Sequence, residues 1–147
     1  MTYSEVIKEL ETIANENEFI KQFKSGRESD INNLFTDGAK EYPLFWVTPE
    51  TFNINKGSIV YNLEIDIIDI CLDASNANIY AEKIISDNNA ILNDVITRLE
   101  NNLNANNIYI ETPITVTPYF QKLSEYVAGV TCTIQVVADR NNNICKV

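Results

Sequence analysis

The sequence predicts an α+β domain: a mostly antiparallel sheet of about four strands, with amphipathic helices packed on one of its faces. Two segments, one near the N-terminus and one beyond the middle of the chain, repeat apolar residues at helical intervals. Other segments alternate apolar and polar residues, as half-buried strands do. Helices with one apolar stripe and strands with one apolar face are expected to bury these surfaces against each other.

The first predicted element is an amphipathic helix over residues 3–15. Thr2 followed by Glu5 has the spacing of a capping box, which satisfies backbone N–H groups at the start of a helix. The apolar residues that recur at helical spacing after it are Val6, Ile7, Leu10, Ile13 and Ala14.

Shorter elements are predicted between this helix and residue 50. Residues 19–24 fit a short strand, residues 30–35 fit one or two helical turns, and Asp37-Gly38 marks a turn. Residues 42–49 are aromatic and β-prone, with a proline near each end. Because proline has no N–H to donate to a ladder, this segment is predicted as a short strand near a sheet edge.

Residues 58–72 carry the longest strand signal. Apolar residues occupy every second position up to Ile67, and the phase then shifts so that Ile68 and Ile70 are the apolar set. Such a shift predicts either a β-bulge or a strand whose far half packs on a different surface.

The second half of the chain predicts a helix and two more strands. The helix, which ends in an asparagine-rich stretch, has one apolar face: Ile85, Leu92, Val95, Ile96, Leu99 and Leu103. The strands are expected at residues 108–118 and 126–139. The sheet face away from the helices is expected to be polar, and either solvated or used for assembly: Asn62, Glu64, Asp66, Thr131, Thr133 and Gln135.

Length and composition fit one domain over residues 1–147, with the last few residues predicted as a tail. The apolar fraction of 45% and charged fraction of 22% exclude a disordered composition. No apolar run approaches the ~20 residues of a membrane helix, and the N-terminus lacks the features of a secretory signal. We therefore expect no membrane partner and a protein that is made and kept in a cytoplasm.

The formal net charge of −10 argues against tight binding of nucleic acid, because an acidic chain repels phosphate. The densest basic group is small and typical of a solvated strand edge: Lys21, Lys24 and Arg27. An acidic protein can nevertheless surround DNA without gripping it.

The chain has no histidine, which removes the commonest general base and metal ligand. Its three cysteines form no CxxC pair, so neither a disulfide framework nor a zinc site is expected. No glycine-rich phosphate loop occurs. The sequence therefore predicts no catalytic residue, no metal and no cofactor.

Two sets of residues are candidate sites. Glu64 and Asp66 fall on one strand face and could share a divalent metal, but a hydrolytic centre would need further carboxylates, so a solvated face is favoured. Tyr42, Phe45 and Trp46 could stack on bases, although a core or subunit-contact role is favoured.

The order of segments carries a family resemblance. The aromatic, proline-bearing Tyr42-Pro43-Leu44-Phe45-Trp46-Val47 precedes a long strand with acidic alternation at residues 61–69. A helix then opens near Ile85-Ser86-Asp87, and Phe120 and Tyr126-Val127-Ala128-Gly129-Val130 lead into an alternating strand and a polar turn. Over nearly the whole chain this order resembles the tail-terminator and head–tail joining proteins of tailed bacteriophages.

The resemblance implies a structural virion protein that forms a ring in the neck or tail-completion region. Such rings join the head, through its portal or connector, to the tail, and DNA passes through the lumen without tight binding. The expected partners are further copies of the chain and neighbouring portal, connector or tail proteins; the expected location is the virion, and the host cytoplasm during assembly. Candidate interface or lumen residues are Phe45, Trp46, Glu64, Asp66, Asp69, Thr131, Thr133 and Gln135.

Two alternatives stay open at this point. One is a small acidic adaptor outside a virion that binds another protein through the strand at residues 42–48. The other is a metal-dependent enzyme that uses Glu64 and Asp66.

Overall fold

The computed structural model describes residues 1–26, 41–71, 77–122 and 126–140. The elements in chain order are α1 (Tyr3–Glu16), β1 (Gln22–Ser25), β2 (Leu44–Ile54), β3 (Ser58–Ile70), α2 (Ala77–Asn104), β4 (Tyr109–Ile110), β5 (Val116–Lys122) and β6 (Tyr126–Asp139). The α+β class and the mostly antiparallel sheet are confirmed. The helical turns predicted at residues 30–35, the turn at Asp37-Gly38 and the C-terminal tail lie outside the described residues.

The described strands form a six-stranded sheet, so the prediction of about four strands is wrong. The order is β1-β2-β3-β6-β4, and β5 also pairs with β6; β1 and β2 are parallel, and the other described pairs are antiparallel. The single strand predicted over residues 108–118 is two strands, because residues 112–115 leave the ladder between them. Pro113 lies in that interruption and has no N–H to donate.

Both helices pack on the same face of the sheet. The capping box at the start of α1 is confirmed: the Thr2 backbone N–H donates to Glu5 Oε2 at 2.6 Å, and the Glu5 N–H donates to Thr2 Oγ1 at 3.3 Å. The apolar stripes of the helices meet the inward residues of β2, β3 and β6 in one core, whose fully buried members include Val6, Leu10, Phe45, Leu63, Ile65, Leu99 and Ile134.

The phase shift in β3 reflects burial on both faces of the sheet. The register of β3 against β6 is unbroken from Ser58↔Asp139 to Ile70↔Val127, so β3 has no bulge; the irregularity lies in β2, between Pro49 and Phe52. A second apolar cluster forms on the face away from the helices: Leu44, Trp46, Ile68 and Val127. The far half of β3 therefore packs on a different surface, which is one of the two predicted explanations.

Two prolines lie in strands at positions where their missing N–H faces outward. The Val47 carbonyl accepts from the Gly26 N–H, so the backbone groups of Val47 point toward the β1 side. Pro49 is two residues further on, so its backbone nitrogen also points away from β3. The Gln135 carbonyl accepts from the Glu111 N–H, so the backbone N–H and C=O groups of odd-numbered residues in β6 point toward β4 and β5. Pro118 lies beside the Tyr119↔Gly129 pair, in which Gly129 is such a residue. The backbone nitrogen of Pro118 therefore points away from β6. Each proline thus removes a donor from an outer strand edge without breaking a ladder bond.

The C-terminus of α2 ends in a Schellman motif. Asn107 has a φ of 58°, in the left-handed region, and its N–H donates to the Asn104 carbonyl at 3.2 Å. The Ile108 N–H reaches back to the Leu103 carbonyl at 3.1 Å, and both of these side chains are buried. The motif turns the chain sharply from α2 into β4.

At Gly129 the backbones of β3 and β6 leave no room for a side chain. A Cβ atom there would lie 1.9 Å from the carbonyl oxygen of Ile67. Backbone atoms occupy that space, so no side-chain movement could relieve the clash.

We expect Gly129→Ala to lower the free energy of unfolding by about 2–4 kcal/mol, because the strands must separate to admit the methyl group. Urea denaturation followed by circular dichroism measures the change. Gly57→Ala is the matched control: a Cβ at Gly57 has nothing within 4 Å, and we expect a change within about 0.5 kcal/mol. Equal stability of the two variants would contradict the close approach.

We expect Asn107→Ala to destabilise the fold by about 1 kcal/mol, because alanine tolerates the left-handed region poorly, whereas Asn107→Gly should be neutral or stabilising. Thermal unfolding compares the two variants with Asn106→Ala, which changes the neighbouring exposed asparagine. A loss in the glycine variant as large as in the alanine variant would count against the motif.

Candidate functional site

The candidate site is the polar half of the sheet face away from the helices, which we call the polar face. It consists of three cross-strand pairs between β3 and β6: Asn62↔Gln135, Glu64↔Thr133 and Asp66↔Thr131. All six residues were predicted to share this face, and the pairing places them in two adjacent rows.

A cleft of about 670 Å³ opens beside these rows. It exists because residues 112–115 leave β6 after β4 and return at β5, so the sheet is interrupted there. Two carboxylates, Glu64 and Glu111, line the cleft, and none of the described lining residues is basic. Most of the remaining lining is hydroxyl or amide: Thr112, Thr115, Thr117, Thr131, Thr133 and Gln135.

Exposure varies along the polar face. Thr133 and Gln135 are exposed, whereas Asn62 and Asp66 are 6% and 8% exposed. The Asn62 amide donates to the Thr51 carbonyl at 2.8 Å, which fixes the irregular part of β2 to β3. The Thr133 hydroxyl donates to Glu50 Oε1 at 3.4 Å. The accessible part of the site is therefore the β6 row, which borders the cleft.

Burial and the carboxylates of the polar face raise the pKa values of neighbouring groups. The pKa of Cys132 is raised to about 12, first by burial and then by Asp66 and Glu64. The pKa of the Tyr119 hydroxyl is raised by burial and by the same two carboxylates, with Tyr42 contributing between them. Cys132 is therefore a neutral thiol at physiological pH and lacks the thiolate that nucleophilic catalysis needs.

Four of the predicted site residues are not on the accessible surface of this face, and one of them is Asp66, which is 8% exposed. Phe45 is fully buried in the main core, and Trp46 is 2% exposed in the second cluster. Asp69 belongs to the opposite side of the sheet, where it lines a separate groove beside α2. The alternation of a strand explains the separation, because Asp69 is an odd number of residues from Glu64 and Asp66.

Sequence reasoning missed Glu50 and Glu111. Glu50 reaches Thr133 because β2 is irregular between Pro49 and Phe52, and Glu111 lies at the point where the chain leaves β6. The only local signal was Pro113, which marks the interruption of the predicted strand. In the described ranges, no group of three cysteine, aspartate or glutamate side chains is placed to hold a metal ion.

No protein-family model matches the chain, and no curated protein matches it in sequence. In the described parts of the chain, no helix is both long and apolar enough to cross a membrane. Function must therefore be inferred from the residues of the chain and from the order of its elements.

We expect Cys132 to react with iodoacetamide far more slowly in the folded protein than in urea at about pH 8.5, because its side chain is 3% exposed and burial raises its pKa to about 12. Labelling of a Cys71→Ala, Cys145→Ser variant measures this thiol alone. In urea the rate of the same variant should be half-maximal near the ordinary thiol pKa of about 8.5. Equal rates in the folded and the urea-unfolded protein would contradict the assigned environment.

Proposed function

We propose that this protein is a non-catalytic structural subunit that forms a closed ring in the neck or tail-completion region of a tailed bacteriophage. The ring would join the head, through its portal or connector, to the tail. The observation that carries the proposal is the polar face, where six polar residues lie in register on a sheet face to which neither helix packs. Such a surface suits either a contact with the next subunit or the lining of a lumen.

The charge of the chain supports passage of DNA without binding. The net charge is −10, and the described lining of the cleft contains carboxylates but no basic side chain. A ring with this surface toward its lumen would repel phosphate and let DNA slide through. The proposal accordingly places the protein in the virion, and in the host cytoplasm during assembly.

The two outward-facing prolines favour subunit contacts through side-chain surfaces. Pro49 and Pro118 each remove a hydrogen-bond donor from an outer strand edge, which opposes continuation of the sheet into a neighbouring chain. A ring would then be held by complementary faces and not by one continuous sheet.

The two alternatives, a protein-binding adaptor and a metal-dependent enzyme, have less support. An adaptor that bound its partner through residues 42–48 would need that strand to be accessible, but residues 44–47 are buried and pair with both β1 and β3. A metal-dependent enzyme would need further ligands beside Glu64 and Asp66, and the described residues offer no group of three.

We expect native mass spectrometry of the purified protein to give one dominant closed oligomer, and negative-stain imaging of the same sample to give rings with a central hole. Detection of the protein in purified virions by mass spectrometry is the second measurement. A strict monomer in solution, together with absence from virions, would rule the proposal out.

A substitution on the polar face distinguishes the two roles proposed for it, a subunit contact or the lining of a lumen. Thr133→Arg introduces a bulky cation at an exposed position of β6, and Thr12→Arg makes the same change at an exposed position of α1. Loss of rings in Thr133→Arg alone would assign the polar face to the subunit contact, and rings that persist in both variants would assign it to the lumen.

A further inference from the structure

A second concave surface lies on the helix-covered side of the sheet, which we call the acidic groove. It has a volume of about 580 Å³, within the usual range of binding pockets. Its walls are the turn after α1, the C-terminal end of β3 and one face of α2, represented by Phe19, Asp69, Asp87, Ile91 and Asp94. The spacing of Asp87, Ile91 and Asp94 places them on one side of the helix.

Buried amide side chains hold the walls of the acidic groove in place. Asn17 accepts from the Phe19 backbone N–H at 2.9 Å and donates to Asp94 Oδ2 at 3.3 Å, so the turn after α1 is tied to α2. Asn88, 1% exposed, donates to the Ile67 carbonyl at 3.2 Å and ties α2 to β3. The groove is therefore preformed, and an occupant need not order it.

Phe19 supplies the apolar part of the surface. Its side chain is 59% exposed, although its backbone is held by Asn17. Ile91 and Pro43 also line the groove. An aromatic side chain held beside a preformed concavity is the kind of anchor that contributes most to protein–protein contacts.

The charges of the acidic groove are unbalanced among the described residues. Four carboxylates line it, from Glu18, Asp69, Asp87 and Asp94, against the single cation Lys21. Lys21 donates to the Glu18 backbone carbonyl at 3.2 Å, and Arg98 pairs with Asp94 at 3.3 Å. No described cation pairs with Asp69 or Asp87.

The environment of Asp69 also reflects this imbalance. Its Oδ1 accepts from the Ile70 backbone N–H at 2.8 Å. Burial raises the pKa of Asp69, and the nearby charge of Asp87 raises it further. A positive group that entered the groove would favour the ionised carboxylate of Asp69 by charge pairing.

We propose that the acidic groove is a docking site for a segment of another protein in which a lysine or arginine is flanked by apolar residues. The cation would lie between Asp69 and Asp87, and the apolar residues would contact Phe19 and Ile91. A second copy of the chain fits less well, because acidic residues outnumber basic ones 21 to 11 and Lys21, in the densest basic group, itself lines the groove. The site lies on the opposite side of the sheet from the polar face and shares no lining residue with the cleft there.

A labelled peptide that alternates arginine and leucine is the probe. We expect saturable binding in fluorescence anisotropy, and ¹H–¹⁵N chemical-shift changes that concentrate at Phe19, Asp87 and Ile91. Asp87→Asn should weaken binding about tenfold by removing one charge partner, and Phe19→Ser about fivefold by removing the aromatic anchor. Both positions are exposed, so neither change should unfold the protein.

Matched controls separate docking from general attraction of cations. Glu111→Gln removes one exposed carboxylate on the other side of the sheet and should leave binding unchanged. A peptide that alternates arginine and serine should bind more weakly, since it cannot contact Phe19. Equal weakening by Glu111→Gln and Asp87→Asn, equal binding of both peptides, or shifts centred on the polar face would each overturn the proposal.

The possibility of a second copy is tested separately. Sedimentation of the unliganded protein should give the same oligomeric state for wild type and Phe19→Ser. A change in that state caused by Phe19→Ser would assign the acidic groove to a second copy of the chain and overturn the inference of another protein. That result would leave the proposed ring intact, so the two proposals fail separately.

Discussion

The continuous antiparallel pairing of β3 with β6 is the interaction on which the rest of the structure depends. The register holds from Ser58↔Asp139 to Ile70↔Val127, and Gly129 lets the two backbones approach without a side chain between them. Because alternate residues of each strand point to opposite faces, this one register assigns every side chain of both strands to a face. A shift of β6 by one residue would place Ile134 on the polar face and bury Thr133 among the helices.

The register also separates the two surfaces of interest. Glu64 and Asp66 lie on the polar face, whereas Asp69 lies with α2 on the other side. Acidic residues that lie close together in the sequence are thus divided between two surfaces with different surroundings. One is a cleft lined by hydroxyl and amide groups, and the other is a groove with an exposed aromatic residue at its rim.

Acidic residues contribute to raised pKa values both on the polar face and in the acidic groove. On the polar face, burial and then the carboxylates of Asp66 and Glu64 raise the pKa of Cys132 and Tyr119. In the acidic groove, burial and then Asp87 raise the pKa of Asp69. Neither surface provides a thiolate or a histidine base for covalent chemistry, and both are suited to contacts with positively charged groups or to repulsion of phosphate.

The sequence by itself determined the helix at residues 3–16, with its capping box, the long strand that became β3, and the polar rows of β3 and β6. Each of these follows from local spacing, since helix caps and strand alternation are set by neighbouring residues. Tertiary structure decided the interruption between β4 and β5, the burial of Phe45 and Trp46, and the position of Asp69 beside α2. These depend on which distant segments come together: Trp46 is buried with Val127, and Asp69 meets residues of α2, pairings that no local pattern specifies.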